Sequence, residues 1–137
     1  MKFKRILCGV DFSEYSVKAF KSAVELARLF KAHLHVIHVT EANPAIPGDA
    51  LTLEEKAMTA LSALVTQWAT TLDRDQVTTE ITTGRASTEI INSAHTREVD
   101  LVVLGAKGVT LLEEAFIGGT MEHVLKKARC SVLAVRN

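Results

Sequence analysis

The chain has 137 residues, 47% of them hydrophobic and 23% charged, and its 16 basic and 16 acidic side chains cancel to a formal net charge of zero. That length suits one domain spanning residues 1–137 and burying roughly two-thirds of its unfolded surface. The neutral balance, with no basic tract and no Lys/Arg cluster, argues against nucleic acid and against an anionic membrane as partners.

No stretch approaches the roughly 20 apolar residues that a membrane helix needs. The apolar run behind the N-terminal Lys and Arg residues is too short for a secretory signal. Cys8 and Cys130 lie far apart, each beside apolar residues, and read as buried thiols in a reducing compartment rather than as a disulfide framework. The expectation is a cytoplasmic protein.

In chain order, residues 5–10 (RILCGV) form a short apolar run that ends at Asp11 and reads as a strand buried on both faces. Asp11-Phe12-Ser13-Glu14 supplies helix-start chemistry, with Ser13 or Asp11 able to cap. Val17, Phe20, Val24 and Ala27 then recur at helical spacing across residues 14–30. Residues 33–39 (HLHVIHV) are a second, β-branched strand, and residues 40–50 hold Pro44, Pro47 and Gly48 in an irregular loop. A long helix is expected over residues 51–72, with Ala57, Leu61, Leu64, Trp68 and Leu72 on one face and Trp68 therefore in the core.

Residues 76–83 (QVTTEITT) alternate like an edge strand with one wetter face. Gly84 and Arg85 turn the chain into a helix over residues 86–97 that points Ile90, Ile91 and Ala94 inward. The apolar run 101–104 stops at Gly105, a helix follows over residues 120–129, and residues 131–135 close the chain as a fifth strand. Five strands alternating with four helices define an α/β protein: a three-layer, open, parallel five-stranded sheet with helices on both faces. Ligands of such sheets sit beyond the carboxyl ends of the strands, where the winding direction reverses. With a strand order of 3-2-1-4-5 that point lies between the first strand, ending at Asp11, and the fourth, ending at Gly105.

The stretch DLVVLGAKGVTLLEEAFIGGTMEHV, residues 100–124, orders a buried strand, a glycine-bearing loop and a helix start. Gly105 reads as ending the strand in a sharp turn, Gly108 permits close backbone approach, and Gly118 and Gly119 clear a helix N-terminus whose unpaired N–H groups and dipole favour an anion. Lys107 adds a candidate charge-assisted contact. Two readings of the residues stand: a phosphate-binding loop, or two glycine turns flanking a surface loop.

The spacing G-x2-G-x9-G, filled by Gly105, Gly108 and Gly118, resembles the ATP-binding type of the universal stress protein family. The likeness extends to RILCGVDFSEYS, HLHVIHV, DLVVLGAKG and HVLKKARCSVLAV. The resemblance implies a small, stress-induced, ATP-binding regulator with the 3-2-1-4-5 sheet, usually a homodimer. It implies that Asp11 contacts the nucleoside and that the backbone near Val39 meets the adenine. Gly105, Gly108, Gly118, Gly119 and Thr120 would line the phosphates.

The family's usual Ser or Thr after the third glycine is here Gly119, with Thr120 one place late. Glycine at a cap costs only about a few tenths of a kcal/mol. The missing hydroxyl contact to a charged phosphate is worth about 1.5–3 kcal/mol, or roughly ten- to a hundredfold in affinity. Glu113 and Glu114 fall in the nine-residue spacer; they read as a solvated face or, bound through water, as holders of Mg²⁺ beside ATP.

His33, His35 and His38 crowd the second strand, without an acidic or cysteine partner at ligand spacing. Neither G-x-x-x-x-G-K-[ST] nor G-x-G-x-x-G occurs. No general base or catalytic triad is readable, so at most slow ATP hydrolysis is expected. The alternatives to an ATP-binding regulator are a dimeric interaction module without nucleotide and a weak ATP hydrolase. The apolar final strand, 132–135, is the expected dimer edge.

Overall fold

The computed structural model describes residues 2–106 and 119–136. The chain runs β1 (Arg5–Gly9), α1 (Glu14–Phe30), β2 (His33–Thr40), α2 (Asp49–Trp68), a single 3₁₀ turn (Arg74–Gln76), β3 (Val77–Thr83), α3 (Ala86–Thr96), β4 (Leu101–Gly105), α4 (Gly119–Lys127) and β5 (Ser131–Val135). All strand pairs are parallel and the order is β3-β2-β1-β4-β5. The expected sheet and its switch point between β1 and β4 are therefore present.

The central strands are apolar throughout because both of their faces are covered. Ile6, Cys8, Leu34, Val36, Leu101 and Val103 pack under α1 and α2, against Phe20, Val24, Leu61 and Leu64. Leu7, Ile37, Val102 and Leu104 meet Ile90, Ile91 and Ala94 of α3 and Met121 and Val124 of α4 on the other face. Each fully buried aliphatic or aromatic side chain contributes about 1.5–3 kcal/mol. Full burial also pushes the Cys8 thiol up to about 12, which makes it an apolar filler rather than a nucleophile.

α1 has the expected bounds because its ends are chemically marked. Ser13 Oγ accepts from the Ser16 N–H at 3.3 Å, and Lys31 closes the helix in the left-handed region with its N–H on Ala27 O. α2 begins two residues early, at Asp49 behind Gly48, whose φ of +76° suits glycine. It ends at Trp68, so Leu72 packs on the core from the following turn instead of from the helix.

Trp68 is not the expected core residue. It is 38% exposed, at the last turn of α2, with the Lys21 ammonium of α1 3.6 Å above its ring centroid. The core is continued past it by Ala69 and Leu72, while the Trp68 ring stays at the surface under a cation–π contact. No helix among the described residues is long and apolar enough to cross a membrane.

Candidate functional site

The site forms where β1 and β4 part. Asp11 follows β1, and its backbone N–H donates to Ser16 Oγ at 3.1 Å. Ser16 is buried, and its hydroxyl donates in turn to Ser13 O at 3.1 Å. The Asp11 carboxylate accepts the Ser13 N–H on Oδ1 at 2.9 Å. Ser13, not Asp11, caps α1, so the carboxylate of Asp11 shapes the turn at the mouth of the crevice. Burial works to raise its carboxyl, but hydrogen bonds from Ser13 and Ser16 outweigh it and hold the group below the usual carboxylate range.

Gly105 ends β4 beside the same turn. It is a strand residue paired with Val135, not a sharp turn. Its lack of a side chain answers to close packing: a Cβ there would stand 2.5 Å from Tyr15 O and 3.0 Å from Ser16 N. Ser16 thus touches both ends of the crevice, and Asp11 and Gly105 meet through it.

β2 projects past β1, whose last rung is the Val10 N–H to Ile37 O bond at 2.9 Å. In a parallel sheet the peptide groups of alternate residues face alternate neighbours. Ile37 faces β1, whereas Thr40 O accepts from Gly84 on the β3 side. Val39, two residues beyond Ile37, therefore turns its N–H and C=O to the side β1 has vacated.

Next to it lies a cavity of about 450 Å³ lined by Phe12, His38, Val39, Thr40, Glu41, Leu53, Lys56, Ala57 and Ala60. That volume falls in the range of small-molecule pockets. One wall is the Phe12 ring against the His38 imidazole, centroids 4.7 Å apart. Phe12 sits in the left-handed region at φ +66°, which is uncommon for an aromatic residue. His38 is held by its Nδ1–H donated to Val10 O at 2.7 Å, which leaves Nε2 as the acceptor.

Phe12 and Lys56 were not picked out from the sequence as site residues, and His38 only as one of the histidines weighed for metal. The available signal was Phe12, an apolar residue in a loop directly after a buried strand. Gly119 opens α4 with nothing within 4 Å of where its Cβ would be, and Thr120 beside it is exposed. Lys107, Gly108 and Gly118 lie outside the described residues, as do Glu113 and Glu114.

An open parallel α/β sheet with a crevice at its switch point defines the class of protein. The model of the universal stress protein family matches residues 2–136, and the chain belongs to that family. A universal stress protein of Methanocaldococcus jannaschii is 30% identical, the match covering 98% of this chain and 82% of the relative. The solved structure of universal stress protein UspA from Lactobacillus plantarum superposes with a TM-score of 0.81 at 30% identity, over 99% of both chains. A universal stress protein from Archaeoglobus fulgidus, solved in complex with dAMP, shares the fold at 18% identity, with a TM-score of 0.67 and 98% of both chains covered.

Proposed function

We propose that the whole chain acts as one universal stress protein-like domain that binds ATP in the crevice and serves a regulatory role in the cytoplasmic stress response. The observation that carries this reading is the pair of main-chain groups of Val39 facing the vacated side of β2, beside the cavity walled by Phe12 and His38. A donor and an acceptor side by side complement the amino-group and ring-nitrogen edge of adenine. Asp11, held ionised, is an acceptor for a ribose hydroxyl. The phosphates would run toward Gly105, Lys107, Gly108, Gly118, Gly119 and Thr120, with Mg²⁺ as their counter-ion. The A. fulgidus universal stress protein, which shares this fold, was solved in complex with dAMP, and that supports a nucleotide as the ligand.

Calorimetry with ATP and Mg²⁺ tests the proposal. Asp11→Ala should weaken binding roughly ten- to a hundredfold, the worth of a hydrogen bond to a charged group. Asp11→Asn, which retains an acceptor for the Ser13 N–H, should lose less. Equal affinity in all three proteins would remove Asp11 from the site. No binding at millimolar ATP would leave the second reading, a dimeric interaction module, which the glycine at position 119 favours.

We also infer a homodimer through β5. Among the described residues that strand pairs only with β4, and Leu133 on it is 38% exposed; an apolar strand edge of this kind pairs readily with another copy. Light scattering should give twice the 14.9 kDa chain mass at micromolar concentration, and Leu133→Lys should reduce it to one chain. A monomeric parent protein would overturn the inference.

A further inference from the structure

The opposite end of the sheet carries a second cavity, of about 250 Å³, lined by Arg5, Ile6, His33, His35, Arg97 and Val99. The lining contains two guanidiniums, two imidazoles and no carboxylate. Parallel pairing from Arg5 of β1 to His33 of β2 sets two of these residues side by side, and the turn after α3 brings Arg97.

Each guanidinium has a carboxylate partner. Arg97 Nε lies 3.5 Å from Glu80 Oε1, and Arg5 Nη1 donates to Glu98 Oε2 at 3.1 Å. Neither carboxylate lines the cavity. The nearby Asp100 has both oxygens occupied, by the backbone N–H groups of Lys4 and Arg5.

Beneath the cavity a chain of hydrogen bonds fixes the imidazoles. Glu80 Oε1 accepts from His35 Nε2 at 2.8 Å and from Ser93 Oγ at 2.9 Å. Because that acceptor makes Nε2 the protonated nitrogen of His35, Nδ1 is a lone pair and accepts the Thr78 hydroxyl at 2.6 Å. Thr78 Oγ1 in turn accepts from His33 Nε2 at 3.4 Å.

We propose that this cavity binds a phosphoryl group, inorganic phosphate or a small phosphate monoester, between the guanidiniums of Arg5 and Arg97. A guanidinium fork matches the spacing of phosphate oxygens, and Glu80, itself held by His35 and Ser93, keeps Arg97 near the cavity. The C-terminal end of α3 also points here with a partial charge of about −0.5, and Glu80 and Glu98 offset part of the two guanidinium charges, so the fork geometry rather than net charge selects the ligand. The volume lies below the usual 300–1,000 Å³ range for drug-sized ligands, which selects a phosphate with at most a short organic arm over a nucleotide.

Binding must also shift a proton. The His33 imidazole is held below its ordinary value by burial and by the charges of Arg97 and Arg5, with Asp75 working the other way. An anion between the two arginines offsets their repulsion, so His33 becomes more basic when the cavity fills. His35, beside it and facing Thr78 and Glu80, is likewise depressed, burial first among the causes.

The test is an NMR titration of the full chain, reading the histidine ring signals, with inorganic phosphate in one arm and glycerol 3-phosphate in the other. Saturable shifts at His33 and His35 in either arm, a raised His33 pKa, and affinity lost at least tenfold in Arg97→Lys and Arg5→Gln are expected. The arm with the tighter response identifies the source of the phosphoryl group. Arg97→Lys keeps the charge and loses the fork, and a thermal melt alongside shows whether the variant is folded. Shifts that fail to saturate at tens of millimolar, shifts confined to residues around Gly119, or unchanged affinity in both folded variants would overturn the proposal.

Discussion

Gly105→Ala should destabilise the protein by about 3 kcal/mol, at the upper end of what overpacking usually costs. The added methyl would lie 2.5 Å from Tyr15 O and 2.6 Å from Tyr15 C, both backbone atoms, so no side-chain rotation relieves the clash. The first turn of α1 has to move as a unit, and Ser16 moves with it. Its hydroxyl then loses the Asp11 N–H, and ATP affinity should fall together with stability. Gly105→Val should abolish cooperative folding. Gly119→Ala is the control: its methyl meets nothing within 4 Å, and an exposed change of that kind stays within about 0.5 kcal/mol. Urea midpoints and ATP titrations on the same samples check all three. A Gly105→Ala protein as stable as the parent would mean that α1 does not rest on the end of β4.

Glu80→Leu should cost about 2–3 kcal/mol, because it strips the shared acceptor from His35 and Ser93, each almost wholly buried. Arg97 would also lose its anchor, although at an exposed position where little is at stake. The same cluster sets the response to acid. Burial is the leading cause that holds His33 and His35 below the ordinary imidazole value, so the unfolded chain takes up those protons first. Their contribution is complete above about pH 6.5 and is lost as the pH falls below it.

Glu80 and Asp11 act lower on the scale. Burial opposes their ionisation, but hydrogen bonds from His35 and Ser93 in one case, and from Ser13 and Ser16 in the other, depress both carboxyls. They stabilise above about pH 4 and lose that contribution as the pH drops further. Denaturation midpoints taken from pH 7.5 down to 5 should therefore decline in the parent protein, and less so in His35→Gln. A flat parent profile would show that the imidazoles bind protons equally in the folded and unfolded chain.

What the sequence disclosed followed from how local each signal is. β1 and β4 are legible because a strand covered on both faces is uniformly apolar, and α1 because Ser13 and the Val17, Phe20, Val24 stripe mark it from within. Trp68 misled because periodicity registers a stripe without registering where the helix ends: α2 stops at Trp68, and Ala69 and Leu72 fill the core from beyond it. The His33 and His35 cluster was not legible at all. Its partners Thr78 and Glu80 lie more than 40 residues away and arrive by strand register, His35 opposite Thr78 and Ile37 opposite Glu80. Asp11 and Gly105 were placed correctly at the switch point by topology, but the reason for Gly105, a helix backbone against the strand end, depends on a contact between distant segments.

The way Val39 is presented has a corollary for the proposed adenine contact. Selectivity vested in peptide groups would be blind to the side chain that carries them, so a change of residue at position 39 should leave the hydrogen-bonding edge intact. A single insertion or deletion inside β2, between Ile37 and Val39, is another matter: it would turn the peptide at that place toward β3 while leaving composition and hydrophobicity nearly untouched. On that reading, the spacing inside β2 matters more for the proposed adenine edge than the side chain at position 39.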